Sequence, residues 1–366
     1  MWYTIENAGE IDTPALAIWP ERVKENINIL RSFVEDVSRL RPHVKTNKSP
    51  EACALLLEAG ITKFKCATIA EAELLGEAGA PDVLLSYQPT GPKALRLAQL
   101  VKQYPATRYS CLVDDKTSAL HIASTMTAAG CVIEVWIDLN IGMNRTGISP
   151  SGGVGLFEEC LSLKGILPVG LHAYDGQLRD EDLAVRTKKC NEGFQAVTAL
   201  AGKIETALGI RPMIVAGGSP TFPIHAKRNS VECSPGTFIY WDTGYASILG
   251  EQPFQFAAMV LTRVISKPAP GVICLDLGHK SIAAENPLDR RVSFPEAPDL
   301  VPVGQSEEHL VMRTDTPDRY HVGQLLYGLP YHVCPTVALY DRAWAVRGGV
   351  ATNDWNNTAR RRSITI

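Results

Sequence analysis

The sequence predicts an α/β protein, a (β/α)8 TIM-type barrel followed by a separate β-domain, on three observations. Between residues 40 and 242, short β-rich runs alternate with segments of helical period, the pattern of βα units around a parallel sheet. After about residue 250 the texture changes to alternating β-branched runs broken by Pro and Gly. The chain is 366 residues long with 45% hydrophobic and 20% charged residues, enough apolar material for a large barrel and a smaller partner domain.

Taken in order, the barrel strands are expected at residues 40–46, 63–68, 83–87, 108–113, 132–139, 167–176, 212–219 and 231–242. The first connecting helix, 49–59, shows the punctuation plainly: Ser49 can cap it, Pro50 suits its first turn and Gly60 closes it. An earlier apolar run, 15–19, with a helix over 21–37, precedes the eight and reads as an extra element at the start of the barrel. The β-domain is expected to use runs at 257–266, 272–277 and 310–313, with a Pro-rich charged loop at 289–302. The predicted boundaries are 12–250 for the barrel and 251–366 for the β-domain, residues 1–11 packing with the latter.

A net charge of −3 and a pI near 6.3 leave no electrostatic footprint for nucleic acid, and no Lys/Arg block reads as a membrane patch. No run of eighteen apolar residues and no leader pattern at the N-terminus occur. Nine cysteines without framework spacing point away from a disulfide scaffold and towards the reducing cytoplasm. What remains is small-molecule chemistry.

In such a barrel the reacting groups lie at the C-terminal ends of the strands. The first strand ends in Arg41-Pro42-His43-Val44-Lys45-Thr46, a basic cluster in which strand alternation turns Lys45 inward. Lys45 is a candidate for covalent carbonyl chemistry; the plainer alternative is a surface lysine at a strand end. The fifth ends in a glycine-punctuated loop carrying Arg145, whose planar donors suit a phenolate or carboxylate, or else a structural ion pair. The sixth ends in His172-Ala173-Tyr174, so His172 and Tyr174 share one face and either both reach the mouth or neither does. Gly217-Gly218-Ser219 ends the seventh, and Gly236 and Thr237 lie in the eighth; loops here commonly bind phosphate, although a lone Gly-Gly-Ser is usually just a turn. In the β-domain, His332 and Cys334 on an expected extended segment offer an imidazole and a thiolate to zinc or a related metal, with a buried His beside a core Cys as the alternative.

Arg41-Pro42-His43-Val44-Lys45-Thr46, Gly142-Met143-Asn144-Arg145-Thr146-Gly147, Ala173-Tyr174-Asp175-Gly176, Gly217-Gly218-Ser219 and His332-Val333-Cys334-Pro335-Thr336 resemble, in this order, the D-threonine aldolase and eukaryotic-type D-serine dehydratase family. The resemblance spans nearly the whole chain, including Asp12-Thr13-Pro14. It implies the alanine racemase fold, pyridoxal 5'-phosphate and a divalent metal (zinc, manganese or magnesium). Lys45 would tether the cofactor and Arg145 would face its phenolic oxygen. His43 and Tyr174 would add contacts, and Gly217, Gly218, Ser219, Gly236 and Thr237 would hold its phosphate. His332 and Cys334 would bind the metal beside the substrate's β-hydroxyl. It further implies a homodimer.

Three departures stand out. Asn47 replaces a histidine found in many relatives, and Gln177-Leu178-Arg179-Asp180 offers no histidine after the Tyr-Asp-Gly segment. The His-x-Cys pair is dehydratase-like whereas Pro335-Thr336 is aldolase-like. Racemases of this fold carry an arginine where Cys233-Ser234 precedes Pro235-Gly236, which disfavours racemisation. The expected chemistry is retro-aldol cleavage of a D-β-hydroxy amino acid to glycine and an aldehyde. Dehydration of D-serine or D-threo-3-hydroxyaspartate is the alternative; a racemase or a non-catalytic cofactor carrier ranks behind both. The base is unassigned: a metal-bound water ranks first, before His172 and Tyr174, with Lys45 as the group that would take an α-proton.

Overall fold

Seven parallel strands form close to where the alternation of β-rich and helical runs places them. The computed structural model describes all 366 residues. After β1 (Ala15–Ile18) come β2 (Lys63–Cys66), β3 (Asp82–Leu85), β4 (Arg108–Val113), β5 (Ile133–Leu139), β6 (Ile166–Ala173), β7 (Met213–Ala216) and β8 (Val231–Cys233). Strands β2 to β8 pair in chain order, every pair parallel.

The expected first strand, 40–46, is not a regular strand, because Pro42 has no N–H to give to a ladder. The segment still bridges both edges of the sheet, Leu40 pairing with Cys233 of β8 and His43 with Lys65 of β2. Arg41 N–H donates to Cys233 O at 2.8 Å, and Val44 N–H to Lys65 O at 2.9 Å. It therefore fills the eighth position of a closed barrel. The expected eighth strand stops at Cys233, where Pro235 and a 3-10 turn (Thr237–Ile239) follow. Outer helices begin on side-chain caps: Thr68 accepts from Glu71 N, Asp115 from Ser118 N, and Asp182 from Ala184 N and Val185 N.

Strand parity sorts the barrel interior into layers. At the N-terminal end Arg41 pairs with Asp82 at 2.5 Å and Glu232 at 2.7 Å, Lys63 joins Glu232, and Arg108 joins Asp82 and Glu134. Above it lies an apolar layer of Leu84, Leu112, Trp136 and Val215. Lys65, Asp138 and His172, each the penultimate residue of its strand, form the uppermost layer at the C-terminal rim. A buried ionic floor is unlike the branched apolar layers usual in such barrels.

By its contacts the chain divides into two units, one comprising Met1–Ile29, Thr46–Ala52 and Thr237–Arg360, the other Leu30–Lys45, Cys53–Gly236 and Arg361–Ile366. The first holds a nine-stranded mixed sheet of β1 and β9 (Ala258–Ala269), β10 (Val272–Leu275), β11 (Val292–Ser293), β12 (Val301–Gln305), β13 (Leu310–Arg313), β14 (Leu325–Pro330), β15 (Arg342–Arg347) and β16 (Val350–Asn356). Here the structure departs from the expected boundaries. β1 does not start the barrel; it lies antiparallel to β9 and parallel to β15. All four of its residues are buried, as suits a strand covered on both faces. Tyr3, Ile5 and Ile11 share the core of this sheet with Met259, Leu261 and Val346. All nine cysteines are free thiols, and no helix is long and apolar enough to cross a membrane.

Candidate active site

In the barrel unit, Lys45 is half-buried at the end of the closing segment, its N–H donating to His43 Nδ1 at 3.2 Å. His43 is buried, with Nε2 3.3 Å from Ser86 Oγ. Arg145 rides on a turn that needs left-handed backbone, Gly142 at φ +117°, Asn144 at +53° and Gly147 at +101°. Asn140 Oδ1 accepts from both Gly142 N and Asn144 N at 3.1 Å. Arg145 makes no ion pair; its guanidinium lies 4.8 Å from the centroid of the Tyr174 ring. His172 meets Asp138 of β5, and Tyr174, just past the end of β6, has its ring centroid 5.6 Å from Lys65 Nζ of β2.

His172 is buried, with Nδ1 2.6 Å from Asp138 Oδ1 and Nε2 buried without a hydrogen-bond partner. Burial raises the Asp138 carboxyl, but His172 outweighs it and holds the group below its ordinary value. Burial, with a contribution from the neighbouring Lys65, holds His172 below its own, against the pull of Asp138. Nδ1 therefore donates, and Nε2 is an unpaired acceptor.

Gly217 sits at φ +80°, and a Cβ there would lie 2.6 Å from His225 Cδ2. At Gly218 a Cβ would lie 2.8 Å from Tyr174 Cε2. Ser219 is buried and accepts from Gly236 N at 3.4 Å. Two residues before Gly236, Ser234 Oγ is buried and unpartnered. Glycine backbone with no room for a Cβ, and an orphaned hydroxyl on the stretch that meets Ser219, are features suited to a phosphate. Thr237 belongs to the other unit, where its Oγ1 is 3.7 Å from Cys334 Sγ.

The β-unit gathers the His-x-Cys pair differently from the expected extended segment. His332 is extended at φ −131°, ψ 101°, but Cys334 lies in the first turn of a short helix (Val333–Val337) that tolerates Pro335 there. Asp242 Oδ2 accepts from Val333 N at 3.0 Å and fixes the turn. His332 Nδ1 is 2.5 Å from Glu285 Oε1. Burial would lower His332, yet Cys334, Glu285 and Asp242 push it up to about 9. Cys334 Sγ is 3.1 Å from Thr46 Oγ1. An imidazole orientated by Glu285 and a thiol beside it are ligand types suited to a borderline divalent cation.

Two groups escaped the sequence analysis. Lys65 is 3% exposed, and burial first, then Lys45, push its amine down to about 7. Its signal was available, since Lys63-Phe64-Lys65 alternates on a barrel strand and one lysine facing inward implies both do. The other is Asp175, Cys190 and His225, whose ligand atoms lie within 4.8 Å of one another. Spread over fifty residues of chain, they carry no local pattern. Arg228 Nη1 donates to His225 Nδ1 at 2.7 Å, so His225 Nε2 donates to Asp175 Oδ2 at 2.8 Å. Thr221 donates to Asp175 Oδ1 at 2.6 Å. With each partner engaged and a guanidinium on the imidazole, this cluster braces the Gly217 loop from behind.

The chain is similar to known proteins over nearly its whole length. Residues 257–346 match the family described as putative serine dehydratase domain. The D-threonine aldolase of Arthrobacter sp. is 29% identical over 96% of this chain and 93% of its own length. The D-threo-3-hydroxyaspartate dehydratase of Delftia sp. (strain HT23) is 26% identical over 93% of this chain and 96% of its own. The crystal structure of D-threonine aldolase from Filomicrobium marinum superposes with a TM-score of 0.88 at 26% identity, covering 96% of this chain and 97% of that one. A cysteine-to-alanine variant of D-threo-3-hydroxyaspartate dehydratase, described as the metal-free form, shares the fold, with a TM-score of 0.80 at 23% identity over 95% of this chain and 98% of that one. Residues 18–244, more than half of the chain, match the family described as alanine racemase, N-terminal domain, and the protein belongs to that family.

Proposed function

We propose that the protein is a pyridoxal-phosphate- and divalent-metal-dependent lyase that cleaves a D-β-hydroxy amino acid to glycine and an aldehyde, working as a cytoplasmic homodimer. One observation carries the reading most directly: in the β-unit His332, held by Glu285 at 2.5 Å, stands with the Cys334 thiol, an imidazole and a thiol of the kind a borderline divalent metal takes. The whole-chain relation to D-threonine aldolase of Arthrobacter supports the same chemistry.

When bound, the cofactor supplies an electron sink for the bonds at the substrate's Cα, and the metal a Lewis acid for its β-hydroxyl. The remaining work falls to the protein. Lys45 provides the tethering amine, and Arg145 provides permanently charged donors facing the rim. Gly217, Gly218, Ser219 and Gly236, with the unpartnered Ser234 hydroxyl, would hold the phosphate through backbone N–H groups and hydroxyls. Tyr174 lies against the Gly218 backbone. His43 steadies the backbone of Lys45. His332 and Cys334 hold the cation, and Glu285 fixes which imidazole nitrogen faces it.

A second reading, dehydration to a keto acid and ammonia, draws on the Cys334 thiol: the related dehydratase whose cysteine variant is described as metal-free suggests the same ligand type. Incubation with pyridoxal phosphate and manganese or zinc separates them. Glycine and acetaldehyde from D-threonine are expected; keto acid and ammonia from D-threo-3-hydroxyaspartate, without aldehyde release, would select the dehydratase. Chelation should abolish turnover while leaving the circular dichroism spectrum unchanged, and unfolding on chelation would make the metal structural.

A further inference from the structure

We propose that Lys65 and Arg145 form a paired cationic seat for an anionic oxygen at the barrel rim, and that Lys65 takes up a proton when that oxygen arrives. The inference rests on the cofactor reading above. Its geometric basis is the Tyr174 ring, which has Lys65 Nζ 5.6 Å and the Arg145 guanidinium 4.8 Å from its centroid. Lys65 is 3% exposed, so water does not solvate a charge there.

The charges facing it do not balance. Arg41 and Lys45 come from the closing segment, Arg145 from the loop after β5, and all three oppose a charge on Lys65. The Asp138 carboxylate on β5 favours it, and that group already accepts from His172 of β6 at 2.6 Å. His43, on the strand paired with Lys65, is engaged by Ser86. Arg41 is already paired with Asp82 and Glu232 in the floor, which leaves Lys45 and Arg145 as the cations beside Lys65 at the rim, an arrangement complementary to an anion. Without one the Lys65 amine is held near 7, mainly by burial; a nearby negative oxygen reverses that and restores the ammonium. The step balances simply: the amine's lone pair accepts one proton from water or buffer, and no other bond changes.

The oxygen has two sources of the same chemistry, the cofactor's phenolate and the substrate's carboxylate. The experiment measures proton uptake in weakly buffered solution with a pH indicator. Pyridoxal phosphate is added to the cofactor-free protein first, and then D-alanine, which has no β-hydroxyl to cleave. At pH 8 an amine titrating near 7 is about nine-tenths neutral, so wild type is expected to take up about 0.9 proton more than Lys65→Met. Lys65→Arg, permanently charged, should match Lys65→Met and covers the case in which the methionine variant does not fold. At about pH 5.5 the difference should vanish, because Lys65 is already charged there. Uptake with the cofactor that disappears for 3-deoxypyridoxal phosphate identifies the phenolate; uptake only with D-alanine identifies the carboxylate. Equal proton counts for wild type and both variants, with the visible cofactor band present, overturn the seat alone. Absence of that band in wild type overturns the cofactor reading and the seat with it.

Discussion

Replacing Arg41 by Met tests whether the ionic floor of the barrel holds the rim in place. Arg41 is 1% exposed and bridges Asp82 and Glu232, so the substitution keeps most of the aliphatic stem and removes only the charge and donors. Taking one partner from a buried pair costs about 3–5 kcal/mol, because the other charge stays desolvated. Here Asp82 keeps Arg108 and Glu232 keeps Lys63, which sets the expected loss at the low end, about 3 kcal/mol. For a unit of this size that is a fall in Tm of roughly 6–12 °C. Urea denaturation followed by circular dichroism reads it directly.

The pH dependence has a definite sign. Burial pushes the Asp82 carboxyl up, but Arg41 and Arg108 outweigh it and hold it below its ordinary value. A depressed folded value contributes stability that is complete above the unfolded pKa of about 3.9 and is lost as pH falls through the folded one. The gap between wild type and Arg41→Met should therefore be flat from about pH 5 to about pH 8 and close below about pH 4. A loss under about 1 kcal/mol at pH 7, or a gain in stability, would refute the view that this layer holds the closing segment.

Lys45→Ala should abolish the visible cofactor band and lyase activity together, and a retained band would remove Lys45 from its role. Gly217→Ala places a side chain at φ +80° and 2.6 Å from His225, so cofactor affinity should fall by about tenfold or more; unchanged affinity would mean the loop does not touch the phosphate. Glu285→Ala should weaken metal binding by about 10–100-fold while Tm moves little, read by metal content after dialysis, and wild-type content would break the link from Glu285 to His332.

Much of the site was legible because strand parity is a local rule. Lys45, His172 and Tyr174 follow from alternation along their own segments, and the same rule, applied to Lys63 and Lys65, reaches the second rim lysine. Parity does not report depth or neighbours. That Lys65 faces Lys45, Arg145 and an Asp138 already engaged by His172 depends on three strands meeting around a closed barrel. Asp175, Cys190 and His225 are hidden for the same reason: they approach only because β6, a long helix (Leu183–Leu208) and the Gly217 loop are brought together.

The all-buried Ala15–Ile18 run states that a strand is covered on both faces but not by what, and only pairing with β9 and β15 removes it from the barrel. Likewise Pro42 forbids a regular first strand, whereas the backbone bonds on either side of it decide that the barrel closes all the same. Periodicity, parity and motif order, properties of neighbouring residues, determined the fold class and the residue types at the rim. Tertiary structure decided charge balance, burial and the partners of each group, because those depend on residues distant in the chain and on the water that folding excludes.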